Sequence, residues 1–444
     1  MDSTPKPNDA LAAARAALAA GDSDGAFRAL RPALAYPSAA RDDDHTLAAK
    51  LRLFAEVTRA FAGEELAARI ARVAEAVGDV SALYDLGYAL YEERLFDVAA
   101  TLLVRANGIE PGVQEIVTEA SSCLEAMLAY EDAAQLVDGS GLADTDPMCA
   151  YLSGFSWFMQ GQWRRAIPRL AQIADVNNDS IAFVRASLQG MVDRASAIEP
   201  VVPLDERALT AWHLAINGSF LLHESPYGHD EPMRGRYAFI ADSAALMHEG
   251  ITRLRALLGD DVPSRVMHAP DRASRVLGGA VASMLERPLI AWHAGINAID
   301  AVVVAWSLDH TEDAGFNQQL HHHAARQVLF VHASSWVDPF PYAPDVTTFL
   351  HQSVTHPFTG GAMRVDPESK KIVRAPADTR SDDALVAEIV DATGADESKS
   401  DLATVLALRD AVRSLRDTAA AGLFRTDGKR SRQRAGSMVA SNRF

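Results

Sequence analysis

The sequence predicts an α + α/β chain: an α-solenoid at the amino end, a mostly parallel, helix-covered α/β sheet domain, and a C-terminal helical tail. Three observations carry that prediction. The first two hundred residues are rich in Ala, Leu, Arg and Glu, with apolar residues spaced three and four apart as on one face of a helix. Small residues recur at a nearly constant interval, Gly87 to Ser121 to Gly154 and, alongside, Ala99 to Ala133 to Ala166. Beyond about residue 205, short β-prone runs alternate with helical ones, which implies parallel strands beneath helices.

In the segment VSALYDLGYALYEERLFDVAATLLVRANGIEP, Leu83, Leu86, Gly87 and Leu90 line one helix. Ala99, Leu103 and Ala106 line the next, and Pro111 ends the unit. The pattern returns with Ser121, Leu124, Ala133 and Val137, then with Gly154, Trp157, Ala166 and Leu170. Gly or Ser on the first helix and Ala on the second let two backbones approach. A degenerate copy spans Ala14 to Ala33, with extra helices between 46 and 77. These residues resemble the tetratricopeptide repeat (TPR), although Leu83 stands where that repeat has an early aromatic and the later units lack the closing proline. The resemblance covers residues 8–197. It implies a TPR-like solenoid whose groove holds a protein or peptide.

The stretch IEPVVPLDE, residues 198–206, has no periodic apolar face and marks a domain boundary. The α/β domain is expected over 205–361. Its β-prone runs are LTAWHLAI and YAFIAD before a helix Ser243–Leu258, SRVMHAP before a helix Arg272–Glu286, then PLIAWHA, DAVVVAWSL and QVLFVHASSW. Leu209, Ala211, Trp212, His213, Ile216 and Asn217 recur as Leu289, Ala291, Trp292, His293, Ile296 and Asn297, read here as coincidence in preference to a duplicated strand. A polar linker follows at 362–382, then helices Asp383–Ala392 and Asp401–Ala421 within 383–421. The end, 422–444, contains GKRSRQR and is expected to be a solvated, disordered basic tail.

Composition narrows the chemistry. A net charge of −17 argues against a general nucleic-acid binder, because phosphate affinity comes from clustered Lys and Arg. The longest apolar stretch, Ala301–Trp306, is too short to cross a bilayer, and MDSTPKPND lacks the character of a secretory signal. The expectation is a cytoplasmic protein with no membrane partner. Cys123 and Cys149 read as small core residues. No lysine occurs from residue 51 to 369, which removes Schiff-base and P-loop chemistry from the folded body. No cofactor is identifiable.

Thirteen of the fourteen histidines lie between His213 and His356. Several end apolar runs, and in parallel sheets ligands bind beyond the carboxyl ends of the strands. His268, His293, Asp309 and His332 are therefore the candidate acid–base residues. Ser334, Ser335, Trp336, Asp338 and Tyr342 are the candidate ligand contacts, in an aromatic, proline-rich loop that also holds Phe340, Phe349, Asp345, His351 and His356. No metal site is expected: His223, Glu224, His229 and Asp230 lack metalloprotease spacing, and His321, His322 and His323 point apart on a helix end in solvent. The run SRVMHAPDRASRVLGGAVASMLERPL with DAVVVAWSLDHTEDAG faintly resembles a phosphoribosyltransferase core, keeping only Asp309, Thr311, Glu312 and Gly315 of its acidic loop. The function expected first is a TPR scaffold binding a protein or peptide, its α/β domain sensing or presenting a small-molecule ligand. The alternative is an enzyme, a transferase or hydrolase acting on a nucleotide or peptide at the sheet edge.

Overall fold

The computed structural model describes residues 7–432 except 175, 206–207, 228–232, 234, 310, 312, 339, 356, 359, 361–362, 366–370, 375, 394–400 and 416–422. The chain forms two compact units, Met1–Gln189 and Gly190–Phe444, so the division falls inside a helix and not at 198–206.

The first unit runs α1 (Pro7–Ala19), α2 (Ser23–Leu34), α3 (Asp44–Phe61), α4 (Glu64–Glu75), α5 (Val80–Glu92) and α6 (Phe96–Ile109). It continues with α7 (Gln114–Ala126), α8 (Tyr130–Ser140), α9 (Pro147–Met159) and α10 (Ala166–Gln172), and α11 (Asp179–Ile198) crosses the division. Local signals start several of these helices. Asp22, Asp43, Asp79 and Asp146 each accept the backbone N–H of the residue three positions on, a cap contributing about 1 kcal/mol.

The small residues act as their spacing implies. A Cβ on Gly87 would lie 2.7 Å from the Leu103 side chain, and one on Gly154 would lie 3.0 Å from Arg169 Cβ. Consecutive helices therefore close to contact over Leu83, Leu86, Ala99 and Leu103, all fully buried. The third pair is locked by Asp138, which accepts from Ser153 Oγ (2.6 Å), Trp157 Nε1 (2.7 Å) and Arg169 Nη2 (2.8 Å).

The second unit begins with α12 (Leu209–Asn217), β1 (Phe220–Leu221), β2 (Tyr237–Ala241), α13 (Ala244–Leu258), β3 (Arg265–His268) and α14 (Arg272–Leu285). Next come β4 (Leu289–Ala291), β5 (Ala301–Ala305), α15 (Ala314–Leu320), β6 (Val328–Ser335) and β7 (Val346–Thr355). The last elements are β8 (Met363–Val365), β9 (Ile372–Arg374), α16 (Asp382–Asp391) and α17 (Leu402–Arg413). Seven strands form one sheet in the order β4, β3, β5, β6, β7, with β1 and β2 sharing the outer edge of β7. Every pairing in it is parallel, so all seven carboxyl ends point to one rim. The central strands are buried throughout, as AVVVA and VLFVHASS require when helices cover both faces.

Four segments differ from expectation. LTAWHLAI is not a strand but α12. All of Leu209–Ile216 is buried, and a helix apolar on every side has no periodicity to separate it from a strand. Its echo at Leu289–Ala291 is a strand, so the two windows share residues and not structure. The aromatic loop after β6 is only partly a loop, since it leads into the ten-residue β7. The linker 362–382 contains the antiparallel pair β8 and β9. The basic tail is ordered at its start: Leu423 and Phe424 are buried, and Phe424 packs edge-to-face on Phe220 at 5.9 Å. Residues 433–444 lie outside the described residues.

Candidate functional site

An open cleft of about 550 Å³ lies at the carboxyl rim, beyond β5 and β6 and against the last residues of β7. Leu308, Asp309 and Thr311 come from the loop after β5, Asn317 from α15, Ser335, Asp338 and Phe340 from the end of β6 and beyond, and His351, Gln352, Ser353 and Val354 from β7. Ser335 and His351 are register partners, so the parallel pairing sets the two side by side. Asp313 caps α15 by accepting the Phe316 N–H at 2.9 Å. Asn317 Oδ1 is buried with no hydrogen-bond partner among the described residues.

The four candidate acid–base residues do not share this cleft; only Asp309 lines it. His268 ends β3 beneath α14, where a Cβ on Gly278 would come within 2.7 Å of its own Cβ. Its Nδ1–H donates to the Ala269 carbonyl at 2.7 Å. His293 stands on an exposed loop past β4. His332 is fully buried inside β6, donating from Nε2 to Asp242 Oδ1 at 3.1 Å, with Nδ1 3.0 Å from Thr348 Oγ1. The end of an apolar run is not the end of a strand: β6 continues three residues past His332.

Among the candidate ligand contacts, Ser335 and Asp338 reach the cleft. Ser334 instead bonds Thr347 Oγ1 at 2.9 Å. Trp336 donates Nε1 to the Tyr237 carbonyl at 3.1 Å. Tyr342 is buried, donating its hydroxyl to the Asn317 carbonyl at 3.1 Å. Thr311 enters the sequence reading only through the acidic loop, and Asn317, Gln352 and Ser353 are not among the candidates. The signal for the last two was present in VTTFLHQSVT, whose β-branched and aromatic content marks a strand.

The metal-capable groups lie apart as well. His223 bonds the Tyr237 hydroxyl at 2.7 Å, and Glu224 accepts the Thr210 N–H at 2.9 Å. His229, Asp230, His310, Glu312 and His356 lie outside the described residues. Among the described residues no group of three or more His, Cys, Asp or Glu could hold a metal ion. The histidine triplet is not merely a helix end in solvent. His321 stacks on Tyr342 at 5.4 Å, the His323 N–H donates to the Gly428 carbonyl at 2.9 Å, and His322 forms an antiparallel bridge with Lys429.

This docking carries Arg430 into the domain. Its Nη1 donates to the carbonyls of Leu320 (2.7 Å) and His322 (3.0 Å), and its Nη2 to Gln327 Oε1 (3.0 Å) and Asp345 Oδ2 (2.7 Å). Two residues on, Arg432 donates Nη2 to the Ser335 carbonyl at 3.1 Å. Burial pushes its pKa down to about 10, opposed by the nearby Asp309 carboxylate.

His213, on α12, is buried and donates Nδ1–H to the Ser219 carbonyl at 2.9 Å. Burial pushes its pKa down to about 4. Below pH about 6.5 the unfolded imidazole takes up a proton that the folded one refuses. The stability His213 leaves intact above that pH is lost progressively toward pH 4, by an amount on the order of 3 kcal/mol. His213→Gln is expected to flatten the dependence of the urea midpoint on pH between 6.5 and 4; an unchanged slope would place that titration elsewhere.

The first unit carries a second concavity, a groove of about 600 Å³ among α2, α3, α4 and α5. Its floor is aromatic, with Phe27 5.4 Å from Phe61 and 6.1 Å from Phe54, ring to ring. Phe61 is 46% exposed. Among the described lining residues, Glu65, Glu92 and Glu93 stand with one cation, Arg69, which pairs with Glu65 at 2.9 Å. The acidic character continues along the repeats. Burial and then Glu92 raise the pKa of Glu119 on α7, while burial and then Glu119 raise those of Tyr84 and Tyr91 on α5.

No family model matches the chain, and neither a curated protein nor a solved structure does. Among the described residues no helix is long and apolar enough to cross a membrane.

Proposed function

We propose that this is a cytoplasmic interaction protein of the TPR kind, whose helical-repeat unit captures a partner segment combining basic and apolar residues. One observation carries the reading: the groove with Phe27, Phe54 and Phe61 in its floor and Glu65, Glu92 and Glu93 around them. Phe61 is open to solvent and Phe27 partly so, with Phe54 buried behind them; such a floor rewards an apolar anchor, and surrounding carboxylates favour Arg or Lys beside it. The tyrosine and glutamate side chains of α5 and α7 extend the same chemistry to the next repeat. Helix pairs stacked in this way present long surfaces suited to extended segments. The α/β domain serves as the ligand-binding or regulatory element. An enzyme built on His268, His293, Asp309 and His332 draws no support from their separate surroundings.

Panning a random peptide library on the purified full chain tests the assignment. The enriched peptides are expected to pair Arg or Lys with Leu, Phe or Met, and to bind Phe61→Glu and Glu92→Lys at least ten-fold more weakly. Acidic peptides, or peptides indifferent to both substitutions, would contradict it.

A further inference from the structure

We propose that the cleft at the carboxyl rim is a receptor for an arginine side chain, and that the chain's own C-terminal arm, Gly428–Arg432, holds its border in cis. This inference concerns the second unit and does not rest on the groove of the first.

The cleft is rich in acceptors. Asp309 and Asp338 contribute carboxylates, and no Lys or Arg is among the described lining residues. A ligand satisfying such a lining must bring positive charge and several N–H donors in a fixed array, which describes a guanidinium better than an ammonium.

The arm already delivers one. Its course is set by the Gly428 carbonyl on the His323 N–H, the Ser431 carbonyl on the Ala343 N–H (3.2 Å), and Arg430 in its buried socket. That anchorage places the Arg432 guanidinium against the Ser335 carbonyl, which borders the cleft, and within electrostatic reach of Asp309. The fit is partial, since a guanidinium has five donors and this contact uses one of them. An arm held by a separate anchor, whose second arginine makes a single hydrogen bond at the receptor, is suited to exchange. A partner's arginine can displace Arg432 while Arg430 keeps the arm docked.

The test titrates N-acetyl-arginine amide into the full chain and follows binding calorimetrically. Arg432→Ala, which leaves Arg430 in place, is expected to bind the probe at least ten-fold more tightly than the unsubstituted chain. Adding Asp309→Asn in that background is expected to remove the gain. N-acetyl-lysine amide is expected to bind at least ten-fold more weakly than the arginine probe. Equal binding by the unsubstituted chain and Arg432→Ala, no binding by Arg432→Ala, or indifference to Asp309→Asn would each overturn the proposal. Circular dichroism confirms the fold of each variant. Arg432→Gln keeps a donor for the Ser335 carbonyl without the charge, and it is expected to give the same ordering should the alanine variant fail to fold.

Discussion

Arg430→Met is expected to destabilise the second unit by about 4 kcal/mol, the scale found when one partner of a buried ion pair is removed. The Arg430 side chain is 1% exposed and that of Asp345 is 6%. Deleting the guanidinium leaves a carboxylate in the interior whose other hydrogen bond comes from the Leu329 N–H, at 2.7 Å. It also strips the carbonyls of Leu320 and His322 and the Gln327 amide of donors. Methionine roughly preserves the apolar stem, so the loss reports charge and hydrogen bonding more than cavity volume. Adding Asp345→Asn removes the stranded charge while keeping an acceptor for Leu329, and the double variant is expected to recover part of the stability. Melting temperatures of the two singles and the double form the cycle that checks this. A loss below about 1 kcal/mol in Arg430→Met would show that the arm contributes little to the fold.

Asp242→Ala is expected to cost about 3 kcal/mol, because two buried groups lose an acceptor together. Asp242 Oδ1 receives His332 Nε2 at 3.1 Å and Oδ2 receives Trp306 Nε1 at 2.6 Å, and neither the His332 nor the Asp242 side chain has any exposure. The cluster joins the end of β2 to β5, β6 and β7, since His332 also meets Thr348 Oγ1 at 3.0 Å and lies edge-to-face on Phe349 at 5.0 Å. Asp242→Asn keeps one oxygen for Trp306 and offers an N–H to the imidazole, but Oδ1 also accepts the Ser243 N–H at 2.8 Å, so it is expected to recover only part of the loss. Urea unfolding of both variants reads the difference. Equal losses would show that an amide does not replace the carboxylate in this cluster.

The partial legibility of the candidate site has a physical origin. Asp309, Ser335 and Asp338 were found because the rim of a parallel sheet is set by where strands stop and loops begin, which short-range patterns report. The same rule points to His268 and His332, which are packed inside, because a histidine within an apolar run is as easily bonded in the core as exposed at its end. The prolines before β7 dominate that stretch and favour a loop, while VTTFLHQSVT carries a strand pattern of its own. The basic end looked solvated because its charges have no local partner. Its partner Asp345 lies 85 residues away in the chain.

What the sequence by itself determined is local and periodic: the paired helices of the first unit, their close approach at Gly87 and Gly154, the alternation that makes the sheet parallel, and the lysine-free body. These follow from backbone preference and side-chain spacing over one or two turns or strands. Only the tertiary structure decided that His332 meets Asp242 across 90 residues, that Arg430 is buried, and that Arg432 borders the acidic cleft. Those partnerships depend on which distant segments the fold brings together. Periodicity specifies the face a residue occupies, but not what will be packed against it.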